Sequence, residues 1–179
     1  MIKYETAKSS FFAKNKSYCE NILKYFENQK IDLDGFCNSF GYELKTGFIR
    51  NNLNFTMRFI KNQTTQNGVL SPVNANEYAG IEMIINGILP DIKLKVGKSP
   101  FLRNFCSKEI KDKIPKPYYV GINKIYNPSF PDKLIEIILE NTISKITMNK
   151  NKIQVKIEGQ HSNPEKLISD IEEIIKNVP

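Results

Sequence analysis

The side chains with the most direct capacity for nucleophilic, acid–base or metal chemistry are one histidine, His161, and three cysteines, Cys19, Cys37 and Cys106. A single histidine excludes His-rich metal sites and any dyad that needs two, while a Cys-His or Ser-His pair would depend on tertiary contacts. Within Gly159-Gln160-His161-Ser162 it reads as an ordinary loop residue ahead of the last helix. The cysteines are odd in number, widely spaced and without a Cys-x-x-Cys pair, so neither a disulfide framework nor a zinc knuckle is written here. Each follows an aromatic residue (Tyr18, Phe36, Phe105), which favours buried structural thiols in a reducing cytoplasm. Asp32-Leu33-Asp34-Gly35 resembles a fragment of a calcium loop but lacks the third oxygen ligand and the later Glu, and is simpler as a turn. Phosphate-loop, dinucleotide and zinc-protease motifs are absent, so no cofactor and no metal are expected.

Carboxylates give the sharpest enzymatic reading. Asp34 followed by Glu43-Leu44-Lys45, after a helix carrying Glu20 and Glu27, resembles the Asp…Glu-x-Lys arrangement of the metal-dependent PD-(D/E)xK nucleases. That resemblance implies acids holding a divalent metal and a lysine stabilising charge on the attacked phosphate. The chain departs from the pattern in lacking Pro-Asp before Asp34, and an acid two residues before Lys recurs at Asp91-Ile92-Lys93 and Glu109-Ile110-Lys111. Metal-dependent nuclease activity is therefore the alternative reading.

Charge supplies the main reading. The chain carries 26 Lys and Arg against 19 Asp and Glu, net +7, and the excess sits in the middle: Asp91 to Lys124 holds nine basic and three acidic residues. Only Arg50, Arg58 and Arg103 are arginines, which disfavours bidentate phosphate or base-edge recognition. An abundance of Lys, Asn and Ile also fits a compositional bias of the source.

The elements that would position these residues follow from periodicity. Ser17-Tyr18-Cys19-Glu20 has the form of a capping box for a helix to about Gln29, buried through Tyr18, Ile22, Tyr25 and Phe26, with Phe11 and Phe12 either extending it backward or lying across the surface. Alternation then predicts a hairpin: Tyr42, Leu44, Thr46 and Phe48 share one face, Leu53, Phe55, Met57 and Phe59 the same face of the next strand, with Arg50-Asn51-Asn52 between. Asn62 to Glu77 reads as a long polar loop, functional or mobile. Strands are expected at Ala79 to Ile88, joined through Leu89-Pro90 to another at Asp91 to Lys98, where Ile92, Leu94 and Val96 alternate with Lys93 and Lys95. Ser99-Pro100 opens a short helix with Phe101, Leu102, Phe105 and Cys106 inward, and Tyr118 to Ile122 forms a strand. A helix from Ser129-Phe130-Pro131 buries Leu134, Ile135, Ile137 and Ile138, and a hairpin turns through Asn149 to Lys152. The last helix has Asn163-Pro164-Glu165 at its start and Leu167, Ile168, Ile171, Ile174, Ile175 and Val178 on one face.

This order has no regular strand–helix alternation. It predicts an α+β fold with a mostly antiparallel sheet of six to seven strands and N-terminal, middle and C-terminal helices on one face, in one domain over 1–179 with a weak sub-boundary near 115–117. No apolar run approaches a membrane span, and the start lacks a secretory signal, so a cytoplasmic location is expected. The functional expectation is a non-enzymatic binding or assembly module. Lys45, Arg58, Lys93 and Lys95 point away from the core as a basic sheet face suited to an acidic protein or a nucleic acid. Because Phe48, Phe55 and Phe59 fall on the buried side, a solvated face is favoured there over a base-stacking platform.

Overall fold

A computed structural model describes residues 1–5, 9–65, 75–90, 92–106, 108–123 and 130–177. Asp91, Ser129, Val178 and the centre of the polar stretch at 66–74 lie outside them. The chain runs β1 (Ile2–Tyr4), α1 (Ser10–Asn28), β2 (Leu33–Asn38), β3 (Gly41–Arg50), β4 (Leu53–Thr65), β5 (Ala75–Asn86), β6 (Leu94–Lys98), α2 (Pro100–Arg103), α3 (Lys108–Lys113), β7 (Tyr118–Ile122), α4 (Phe130–Glu140), β8 (Ile143–Asn149), β9 (Lys152–Glu158) and α5 (Pro164–Asn177). It is an α+β fold in which the nine strands of the described residues form one sheet in the order β1-β2-β3-β4-β5-β9-β8-β6-β7. The sheet is mixed: β1 pairs parallel with β2, and the other pairs are antiparallel.

The strand count exceeds the expected six to seven because two elements hide their alternation. β2 takes in Leu33 to Gly35 of the stretch read as a turn; Leu33 and Cys37 face the core while Asp34 and Phe36 face outward. Gly35 is there for close packing, since a Cβ at this position would lie 2.0 Å from the Glu43 carbonyl oxygen. β1 has three residues, too few for any period to show. The polar stretch after Asn62 is partly strand: β4 continues to Thr65 and β5 starts at Ala75, four residues before the expected Ala79. β5 ends at Asn86, leaving Ile88 98% exposed, and β6 begins at Leu94 rather than Asp91.

Helix α1 starts at Ser10, not Ser17. Ser9 caps it by accepting from the Phe12 amide at 3.0 Å, and Phe12 joins the core. Cys19, Ile22 and Phe26 pack on the sheet, with the Phe26 ring 6.0 Å from those of Phe48 and Phe59. Helices α4 and α5 cover the remainder of this face, α5 through Leu167, Ile168, Ile171, Ile174 and Ile175. The Asn163 side chain caps α5 by accepting from the Lys166 amide at 3.0 Å. Ser99 caps α2, but Phe101 and Phe105 are 69% and 75% exposed, contrary to the inward placement expected of them. Four residues give too little helix to sustain an apolar stripe. The 115–117 break falls between α3 and β7, and β7 pairs with β6 within the same sheet. Among the described residues no helix is long and apolar enough to cross a membrane.

Candidate binding face

The three long helices lie on one side of the sheet, and among the described residues no helix covers the other. Register decides what stands there. Lys45 pairs with both Asp34 and Arg58, and Arg58 with Glu82, which pairs in turn with Lys156 and so with Lys145 beyond it. Cross-strand partners share a face, so one charged row crosses β2, β3, β4, β5, β9 and β8.

The first part of this row is neutralised internally. Lys45 Nζ lies 2.7 Å from Glu43 Oε1, which also takes Arg58 Nε at 3.0 Å. Arg58 reaches Glu82 at 3.4 Å, and Glu82 takes Lys156 at 2.7 Å. Hydrogen bonds from Arg58 and then Lys45 lower the Glu43 carboxyl to about 2, and Lys156 lowers that of Glu82. The nuclease-like trio is brought together to this extent: Asp34 and Lys45 are register partners, and Glu43 pairs with Phe36 on the same face. Yet Glu43 is occupied by two cations and Asp34 by the Met1 amino group. Among the described residues no group of three or more His, Cys, Asp or Glu could hold a metal.

The second part is different. Ile143 and Lys145 would share a face in a regular strand, but the register shifts by one residue between them. Ile143 and Ile146 are both buried as a result, and Lys145 stands on the open side directly opposite Lys156. Like charges in that relation repel. Lys95 pairs with Thr147, two residues along β8 from Lys145, and so stands diagonal to it. Lys95 and Lys145 are exposed, and among the described residues neither has a carboxylate partner. A shallow depression of about 160 Å³ lies beside Lys145, lined also by Glu82, Ile84, Gln154 and Lys156.

The four sequence candidates therefore fall into two pairs. Lys45 and Arg58 are cross-strand partners inside the neutralised part. Lys95 stands about 19 Å from Arg58, four inter-strand spacings away on the same face. Lys93 precedes β6, is exposed, and exchanges hydrogen bonds with Asn123: its amide donates to Oδ1 at 2.7 Å and its carbonyl accepts from the Asn123 amide at 3.3 Å.

Sequence reasoning missed Lys145 and Lys156, because a bulge set by tertiary packing decides the facing of the first. It also missed the aromatic residues of the open face. Phe55 and Phe59 are buried as expected, but Phe36 and Tyr78 are 45% and 46% exposed on the other side. The hydroxyl end of Tyr78 lies against Gly80, where a Cβ would sit 2.9 Å from its oxygen. Tyr119 lies over its cross-strand partner Gly97, where a Cβ would sit 2.8 Å from the ring. Tyr-Ala-Gly at 78–80 is a local signal for the first of these; the second depends on pairing between β6 and β7.

His161 and the cysteines offer little chemistry. His161 Nε2 lies 3.2 Å from Thr142 Oγ1, whose proton is donated to the Glu158 carbonyl at 2.5 Å, so the imidazole is not placed to draw a proton from that hydroxyl. Burial pushes its pKa below the ordinary value, favouring the neutral ring. Cys19 and Cys37 are buried, and burial pushes both thiols up, away from the reactive thiolate. Cys106 is partly exposed, and its Sγ accepts from the Val120 amide at 3.3 Å.

No protein-family model, no curated protein and no solved structure matches the chain.

Proposed function

We propose that the protein is a non-enzymatic binding or assembly module that engages an anionic macromolecule through the open face of its sheet. The observation that carries this reading is the juxtaposition of Lys145 with Lys156, and of Lys95 with Lys145, on a face that no helix covers among the described residues. Glu82 offsets Lys156, and the charges of Lys145 and Lys95 that remain without a carboxylate are relieved by an anion. Lysine acts as a point charge, so recognition through it depends on charge more than on sequence.

The test is retention on heparin and binding of a nucleic acid at low salt, before and after Lys93→Glu together with Lys95→Glu. About four lysine contacts should give a log–log salt slope near −3, and the double reversal should abolish retention at moderate salt. Absence of binding at low salt, or binding unchanged by the reversal, would leave the lysines as a solvated face only. Metal-dependent cleavage of DNA or RNA, lost in Lys45→Ala, would replace the reading by the nuclease alternative.

A further inference from the structure

Resting on that reading, we infer that the anionic partner is a single-stranded nucleic acid, laid across β7, β6, β8, β9 and β5 with Tyr119 and Tyr78 as base-stacking platforms at the two ends. The geometry has three parts. One edge of the Tyr119 ring lies against Gly97 of β6, and the hydroxyl end of Tyr78 lies against Gly80 of β5, so both aromatic side chains extend along the open face. Tyr78 is 46% exposed and Tyr119 partly so. Between Gly97 and Gly80 the strand order β6-β8-β9-β5 gives three spacings, about 15 Å. That interval contains Lys145 and Lys156, with Lys95 beside them.

Aromatic rings at both ends of a lysine-lined track suit a polymer that offers a flat base and a phosphate at every step. A duplex keeps its bases stacked inside and would meet only the lysines. An acidic peptide would meet the lysines without needing the rings. The arginine forks that read base edges are missing from this track, which makes the expected binding tolerant of sequence. The carboxylates on this side are accounted for: Glu82 is held by Arg58 and Lys156, and Glu158 by Lys98. A tyrosine over a strand glycine also shields the bare backbone, and the experiment must separate that role from stacking.

The experiment measures fluorescence anisotropy of a labelled oligothymidylate of about a dozen nucleotides, a duplex of equal length as competitor, and heparin retention, all at low salt. Leucine at either position keeps an apolar cover on the glycine and removes the π-face; phenylalanine keeps both. Tyr119→Leu and Tyr78→Leu should each weaken single-strand binding roughly tenfold, leave heparin retention unchanged, and be rescued by Tyr119→Phe and Tyr78→Phe. Equal thermal melting of the variants shows that the fold is intact. Duplex bound as tightly as the single strand, or leucine variants without effect, overturns the inference while the polyanion reading stands. So does heparin retention without nucleic-acid binding, the result expected for an acidic protein partner. Failure of heparin, duplex and single strand alike overturns both readings.

Discussion

Met57 and Arg58 are neighbours in β4 and meet opposite worlds. Met57 is fully buried under the helices among Phe55, Phe59 and Met83, whereas Arg58 stands on the open side with 40% of its side chain exposed, bound to Glu43 and Glu82. The same division runs across the sheet. On the covered face burial of apolar area drives folding; on the open face charges interact across solvent and contribute little each. Stability and the proposed recognition thus fall to different side chains of the same strands, and substitutions should separate them.

The largest effect is expected on the covered side. Ile171 is 1% exposed in α5, and Ile171→Ala should cost about 2 to 5 kcal/mol in urea unfolding, by lost transfer energy and a residual cavity. A change within experimental error would break the claim that α5 is packed there. By the same division, the reversals of Lys93 and Lys95 should shift stability by no more than about 0.5 kcal/mol.

A smaller effect is expected where the two environments meet, at the end of the β3–β4 hairpin. Arg50 Nε lies 3.3 Å from Glu172, whose side chain is 6% exposed, and its Nη1 lies 3.0 Å from Glu165. Asn51 donates to Glu172 at 2.8 Å and Tyr25 to Glu165 at 2.5 Å, so this network ties the hairpin to α1 and α5. Arg50→Leu leaves a buried carboxylate without its cation. The loss should be about 2 kcal/mol, below that of a fully buried pair because Arg50 is 32% exposed. Adding Glu172→Leu should recover part of it; a double variant no better than the single would show that packing, not charge, is at stake.

The two faces also differ in how far they were legible. The covered face is written in periodicity, and the stripes of β3, β4, β9 and α5 follow directly from residue spacing. It becomes illegible where elements are short or punctuated by glycine and aspartate, as in β1 and β2, or where a cap lies outside the apolar run, as at Ser9. The open face is legible only as alternation. That Lys95 shares a side with Arg58 can be read from spacing. That Arg58 is neutralised while Lys95 is not depends on strand order, which brings Glu43 and Glu82 to one and Lys145 to the other. The facing of Lys145 depends on a bulge, and the place of Tyr119 on a pairing between strands separated by two helices. Local sequence contains none of these.

The smallest expected effect tests the neutralised part of the open face by pH. Glu43 titrates near 2 in the folded protein against 4.5 for the free side chain, because Arg58 and Lys45 favour its carboxylate. A depressed folded value means that the stabilisation is complete above about pH 5 and is lost as pH falls from 4.5 toward 2. Solvent around the partly exposed partners limits its size to about 1 kcal/mol. Glu43→Gln should therefore be less stable than the parent by about this amount at pH 7, and the difference should shrink steadily in urea titrations toward pH 2. A deficit that stayed constant with pH would assign the role of Glu43 to packing or neutral hydrogen bonding. In that case Arg58 and Lys45 would not be electrostatically committed to it, and the contrast between the neutralised row and the unpaired Lys95 and Lys145 on this face would disappear.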